Sequence, residues 1–292
     1  MKEKKFEVIE GTYGPRLVVR SSWSAELENM IAKQPITGLE LNHAKGWYGL
    51  DVHFLKYPLL QNLQDLVIIN FRLDDCTDIH YLHNLKQLSI LTYCKTPIDF
   101  TAFPQLESVG LEWRGHSTSI FHAKELRHVF LNNYTGKSLS PFAQLEKLEY
   151  LCLKSPRIIE IGNLSKLQKL KELALVNATR LVSLEGLQVL KTLEHLEVNH
   201  CRRITSIEEI GFLTELRHLE IWDNREIDSL HPLLSLKKLE ELYFYESTNI
   251  LDGDVACLKQ LPRLRDTSFG NRRHYNCKIE ELYEYLKKRS TR

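Results

Sequence analysis

No stretch of this chain is apolar enough to span a bilayer as a helix: no window holds about 18 uncharged apolar residues. The start, Met1-Lys2-Glu3-Lys4-Lys5-Phe6-Glu7, is charged and no apolar run follows it. A secretory leader is therefore not expected, and cytoplasmic residence is. Charge of one dominant sign is also missing. The 39 Lys and Arg against 38 Asp and Glu leave a net +1, whereas nucleic-acid-binding domains usually carry a basic excess. Neither phosphate-cradling glycine motifs nor a G-x-S-x-G nucleophile turn occurs. The six cysteines (Cys76, Cys94, Cys152, Cys201, Cys257, Cys277) form no C-x-x-C pair, so neither a zinc ribbon nor a thioredoxin-type motif is indicated. They read as reduced thiols. These absences point away from nucleic acid, membrane, cofactor and catalysis.

What is present is a core-forming composition, 43% hydrophobic and 26% charged over 292 residues, which argues against wholesale disorder. Its leucines are periodic. The pattern L-x-x-L-x-L recurs as Leu63/Leu66/Ile68, Leu85/Leu88/Ile90, Leu106/Val109/Leu111, Leu126/Val129/Leu131 and Leu148/Leu151/Leu153. It continues as Leu170/Leu173/Leu175, Leu193/Leu196/Val198, Leu216/Leu219/Ile221 and Leu239/Leu242/Phe244. A degraded copy, Leu264/Thr267/Phe269, follows, and an early one sits at Ile36/Leu39/Leu41. From Leu63 to Leu264 the steps are 22, 21, 20, 22, 22, 23, 23, 23 and 25 residues.

The last two apolar positions of each copy alternate with polar ones, the signature of a half-buried strand. One copy cannot bury its apolar face alone. Stacked copies can, with strands about 4.8 Å apart sharing one leucine core. About 11 strands are expected, roughly 50 Å along the stack at that spacing. The return arms carry apolar residues every three positions, as at Leu181, Leu184, Leu187 and Leu190, or Ile227, Leu230, Leu233 and Leu236. That spacing suits 3₁₀ turns or short helices.

The stretch "LVSLEGLQVLKTLEHLEV" and the 22–23-residue period resemble the bacterial leucine-rich-repeat proteins of the internalin-like type. The resemblance covers about residues 36 to 269. It implies an α/β solenoid, an arc or horseshoe with a parallel concave sheet, and a protein-binding role. One feature departs from it. Eight positions after the first leucine, where the family places Asn or Cys, this chain has Phe71, Tyr93, Arg114, Tyr134, Pro156, Ala178, Cys201, Asn224, Ser247 and Arg272. Only Cys201 and Asn224 fit, so the turns must satisfy their backbone groups in other ways.

Residues 1–35 read as an amino-terminal cap of two strands around Gly11–Pro15 and a helix from Ala25 to Lys33, with Ser24 as its N-cap. Residues 36–270 form the repeats. Residues 271–292 read as a helical cap that buries Ile279, Leu282, Tyr283 and Leu286. The long step from Ile36 to Leu63 holds Trp47, Tyr48, Phe54 and Tyr57, expected to pack an irregular arm or to form a binding loop at one rim.

Strand residues between the leucines point away from the core. Val67, Ile69, Leu91, Trp113 and Phe130 would make an exposed apolar patch on that face, as interaction sites often do. Tyr150 follows. From Leu193 to Glu246 the outward positions carry Glu194, Glu197, Glu220, Asp223, Glu240, Glu241 and Glu246 against Arg217, interleaved with Trp222, Tyr243 and Tyr245. Acids alone would keep a sheet soluble. Aromatics among them suggest a binding face for a partner with a basic surface. The residues expected to bind are Trp113, Phe130, Tyr150, His195, Glu197, His218, Glu220, Trp222, Glu241, Tyr243 and Tyr245.

The expected function is thus a non-catalytic protein-interaction module, in one version a bacterial immunity protein or inhibitor. The alternative is a regulatory or substrate-recognition subunit. A minor reading is a metal-dependent enzyme with His195, His218, Glu197 and Glu220 around zinc, or a nucleophile from Cys152 and His128. Oligomeric state is not legible.

Overall fold

The computed structural model describes residues 5–290. Met1 to Lys4, assigned above to the first cap, and Thr291 and Arg292, assigned to the second, lie outside the described residues. The chain divides into two compact units, Met1–Leu131 and Asn132–Arg292.

The first unit opens with β1 (Phe6–Gly11) and β2 (Gly14–Val19), paired antiparallel. Gly14, at φ 116°, makes their turn, a conformation that side chains resist. Helix α1 (Ala25–Lys33) buries Leu27 and Ile31. Ser24 precedes it in extended conformation, but its hydroxyl makes no capping bond, contrary to expectation. Then β2 pairs in parallel with β3 (Gly38–Asn42), followed in chain order by β4 (Asp65–Ile69), β5 (Gln87–Leu91) and β6 (Ser108–Glu112). β7 (His128–Asn132) lies at the boundary of the units.

In the second unit β8 (Tyr150–Lys154), β9 (Glu172–Val176), β10 (His195–Asn199) and β11 (His218–Glu220) pair in parallel. A two-residue strand, β12 (Glu226–Ile227), leaves the sheet and pairs with β14 (Asn249–Ile250). The sheet continues through β13 (Glu241–Phe244) and β15 (Asp266–Phe269). Helix α2 (Ile279–Ser290) closes this end. It buries Leu282 and Leu286 and leaves Tyr283 exposed, so the apolar face is narrower than the sequence suggested. Among the described residues, the repeat strands β3 to β11, β13 and β15 match the expected 11. No described helix is long and apolar enough to cross a membrane.

The leucines do what their period requires. Leu151, Leu173, Leu196, Leu219 and Leu242 stand opposite one another in successive strands and are buried. The arms are 3₁₀ turns such as Leu187–Val189, Glu208–Phe212 and His231–Ser235. Three residues per turn bring Leu184, Leu187 and Leu190 to the same buried side.

The turn after each strand explains the missing asparagines. In the later repeats one residue there takes a left-handed φ: Asn177 (62°), His200 (56°), Asp223 (54°) and Glu246 (61°), spaced by 23 residues each. The orphan carbonyls are met by whichever side chain reaches them. Asn224 donates to the Val198 carbonyl and accepts from the Cys201 N–H at 2.7 Å. Where Asn is absent, Ser155 donates to the Tyr134 carbonyl at 2.5 Å and Thr248 to that of Ile221 at 2.8 Å. Arg114 donates to the carbonyls of Cys94 and Thr92, and Arg272 to those of Glu246 and Thr248. Asn224→Ala would leave a buried carbonyl and a buried N–H unmatched. We expect a loss of about 2–3 kcal/mol of unfolding free energy, read as a lower urea midpoint at unchanged slope. An unchanged midpoint would remove the ladder role assigned to this side chain.

Candidate partner-binding face

Parallel one-to-one pairing turns repeat positions into rows on the strand face, the side opposite the leucines. Tyr150, Glu172, His195, His218, Glu241 and Asp266 form one row of the second unit. Two residues on, Cys152, Ala174, Glu197, Glu220, Tyr243 and Ser268 form the next. Trp222 and Tyr245 lie beyond, just past the ends of β11 and β13.

These side chains hold one another. The His195 and His218 rings stack with centroids 4.0 Å apart, and the Tyr243 ring is 5.3 Å from His218. His218 Nδ1 is 2.9 Å from Glu241 Oε2, and its Nε2 is 3.1 Å from Glu220 Oε1. Trp222 Nε1 donates to Glu220 Oε2 at 3.1 Å, while its ring lies parallel to Tyr245 at 5.8 Å and edge-on to His200 at 4.5 Å. Tyr243 donates its hydroxyl to Asp266 at 2.9 Å. The buried Asn199 amide sits between Glu197 and Glu220, 3.4 Å from each. The aromatic and histidine rings therefore sit half-buried in fixed positions, so little side-chain freedom remains to be lost on binding.

The charge reading needs correction. The seven acids are not opposed by Arg217 alone. Lys171, Glu194, Arg217, Glu240 and Arg265 occupy one equivalent position in successive repeats and alternate in sign. Lys171 pairs with Glu194 at 2.6 Å, Arg217 with Glu240 at 2.7 Å, and Arg265 with Glu240 at 3.1 Å and Glu241 at 2.9 Å. Asp223 pairs with Arg202. Each exposed pair adds at most about 1 kcal/mol, but together they neutralise one edge. The negative character concentrates on Glu197 and Glu220, whose contacts are to histidine, asparagine and indole groups.

The local field acts on His195 and its neighbour. Its Nε2 lies 3.4 Å from Glu197 Oε1. That contact holds the imidazole above its ordinary range, against the opposing effect of desolvation. The same contact holds Glu197 below the usual carboxylate range, and His218 does likewise for Glu241. The signs follow by linkage. The His195 contribution is complete at acid pH and fades as pH rises through its raised value. Those of Glu197 and Glu241 are complete near neutrality and fade as pH falls through their lowered values. The array is held most firmly between the two. In an NMR titration the His195 ring should show a midpoint above about 6.5, moving down in Glu197→Gln. A midpoint indifferent to that substitution would contradict the assignment.

Other expectations fare differently. Trp113 and Phe130 belong to the first unit and lie outside these rows; both are half-buried, and Trp113 is 6.1 Å from Phe121. Val67, Ile69 and Leu91 are also half-buried rather than exposed, because strands at pleated-sheet spacing shade one another's side chains. Asp65 is buried beneath Arg16 of β2, which donates Nε–H to it at 2.6 Å. The exposed apolar residues of this unit include Tyr48 (72% exposed), Tyr93 (68%), Leu50 and Phe71, with Tyr57 and Tyr81 also exposed. Phe71 and Tyr93 lie in contact, 4.9 Å between centroids, and a cleft lined by His43, Tyr48, Leu50, Asn70, Phe71 and Arg72 adjoins them. Trp47 and Phe54 are buried, so the irregular arm both packs and presents a rim. Phe71 and Tyr93 were visible in the sequence as misfits at the asparagine position.

The four zinc candidates do not surround a common point; the two imidazoles stack flat, and each faces a carboxylate. The Cys152 thiol is buried, and burial pushes it up, away from the thiolate a nucleophile requires. Among the described residues one trio of ligand types does converge: His231, Asp254 and Cys257 lie within 4.8 Å of one another on the arms. His231 Nε2 meets Asp254 Oδ2 at 2.7 Å. Cys257 donates its proton to the Asp254 carbonyl, and burial pushes its thiol up to about 12.

No family model matches the chain, and no curated protein matches it. Solved structures do. The internalin InlF of Listeria monocytogenes superposes with a TM-score of 0.62 at 20% identity, over 89% of this chain and 83% of that one. Internalin C2 of the same organism gives 0.53 at 21% identity, over 65% and 83%. The functional domain of its InlJ, described as including a cysteine ladder, gives 0.53 at 17% identity, over 81% and 62%. At such identities the likeness is one of fold. Eleven parallel rungs, leucines in register and 3₁₀ arms agree with it: this chain has the leucine-rich-repeat solenoid fold of the internalin type.

Proposed function

We propose that this chain is a non-catalytic receptor that holds a protein partner on the strand face of its second unit, around β10, β11 and β13. The fold supports a protein-interaction role in general. The observation that carries the finer reading is the preordered array of Trp222, Tyr243, Tyr245, His195 and His218 around Glu197 and Glu220. Fixed aromatic anchors beside partly desolvated carboxylates suit a partner that offers Arg or Lys within an apolar surround. Cytoplasmic residence belongs to this reading, supported by six cysteines that the fold keeps in its interior.

Two versions differ in what the partner is. In the first the chain is an inhibitor, such as a bacterial immunity protein, that covers the working surface of a toxin. In the second it is a recognition subunit that brings a target to a separate enzyme. Affinity capture from the native host, with the wild-type chain and Trp222→Ala/Tyr243→Ala run side by side, tests both. A protein enriched by the wild type and lost with the variant supports the strand face. Equal recovery by both contradicts it. Activity of the captured protein, suppressed or unaltered by the chain, separates the two versions.

A further inference from the structure

Arg114 is a buried cation. A guanidinium taken out of water is costly unless an anion answers it. Its donors go to the carbonyls of Cys94 (2.9 Å) and Thr92 (3.3 Å), and its Nη1 lies 3.8 Å from the sulfur of Cys76. That sulfur is itself 3.5 Å from the sulfur of Cys94. Two thiols and a guanidinium thus share one pocket of the first unit. The group best placed to balance the cation is a thiolate held by a hydrogen bond from the second thiol.

We propose that Cys76 and Cys94 form a reactive dithiol, primed by Arg114, that is oxidised to a disulfide by thiol–disulfide exchange with a small-molecule disulfide.

The roles follow from access and from proton sharing. Cys94 is 8% exposed and Cys76 is fully buried, so Cys94 meets the reagent and Cys76 resolves. The contact with Cys76, reinforced by Arg114, holds Cys94 well below the usual thiol range. The same contact holds Cys76 well above it. The pair therefore releases one proton easily and keeps the other. Thr96 sits 3.8 Å from the Cys94 sulfur and donates to Asp75 at 2.9 Å.

The Cys94 thiolate attacks one sulfur of the reagent; that S–S bond breaks and one small thiolate leaves. The leaving thiolate takes the proton of Cys76. The Cys76 thiolate then attacks the Cys94 sulfur, breaks the mixed disulfide and expels the second small thiolate, which takes a proton from water. The protein loses two hydrogens, and the reagent is reduced to two thiols. The sulfurs must close from 3.5 Å to about 2.05 Å, a side-chain movement within one pocket.

Oxidised glutathione is the probe. The wild-type chain should lose two hydrogens by mass and yield a peptide cross-linked between Cys76 and Cys94. Cys76→Ser should stop halfway and retain one glutathionyl group on Cys94. Arg114→Gln should slow the first step by roughly ten-fold or more, and Arg114→Lys by less, because the cation sustains the thiolate. Cys201, fully buried, reports opening. If it is modified in Arg114→Gln, that variant has unfolded and the comparison rests on Arg114→Lys against the wild type. No cross-link in the wild type, no adduct on Cys94 in Cys76→Ser, or a folded Arg114 variant reacting at the wild-type rate would each overturn the proposal.

Discussion

Leu219→Ala should lower the unfolding free energy by about 3–5 kcal/mol, the upper part of the range for a buried leucine. Leu219 is fully buried on β11, with Leu196 opposite on one side and Leu242 on the other. Those neighbours are themselves fixed by strand register, so they cannot move in to fill the space. The lost methyl groups cost their transfer free energy, and the remaining cavity adds to it. In a stacked array each rung also supports the next through nearest-neighbour contact. Urea unfolding of the variant beside the wild type checks this. A loss below about 1 kcal/mol would show that the rungs repack freely, contrary to a register-locked core.

Trp222→Ala combined with Tyr243→Ala should weaken binding of the captured partner by roughly 100- to 1000-fold while leaving the chain folded. Truncating one buried aromatic anchor typically costs about 2 kcal/mol or more of binding free energy, and neighbouring anchors do not add fully. Both residues face away from the leucines, so the core is unaffected. Some stability will be lost, since Trp222 bonds Glu220 and Tyr243 bonds Asp266, but each is a part-exposed contact of modest worth. Calorimetric titration gives the affinity, and circular dichroism melting gives the stability. Phe212→Ser, at an exposed position on the arm side, serves as the control that should bind normally. An unchanged affinity in the double variant would exclude the strand face.

The solenoid was legible because its cause is periodic. One leucine spacing sets strand, register and core together, and the arms follow from a second spacing of three. The terminal hairpin and the two helices were legible from turn residues and amphipathic spacing. What escaped was set by length and reach rather than by period. Arg114 and Arg272 do the work of asparagine because a long side chain can reach the same carbonyls. The overcounted acidity of the strand face came from treating each strand alone. Glu194 and Glu240 find their cations one repeat away, in Lys171, Arg217 and Arg265, a sign alternation visible once the repeats are aligned. Phe130 had the right alternation for the outward face, whereas Trp113, in phase with Val109 and Leu111, lies just past the end of β6; half-burial of both depends on neighbours that spacing does not weigh.

Hydrogen–deuterium exchange of the free chain and of its complex with the captured partner tests the central claim most directly. The account predicts new protection centred on β10, β11 and β13, with the 3₁₀ arms of the same repeats unchanged. Protection confined to those arms, or to the Tyr48–Tyr93 rim of the first unit, would contradict it.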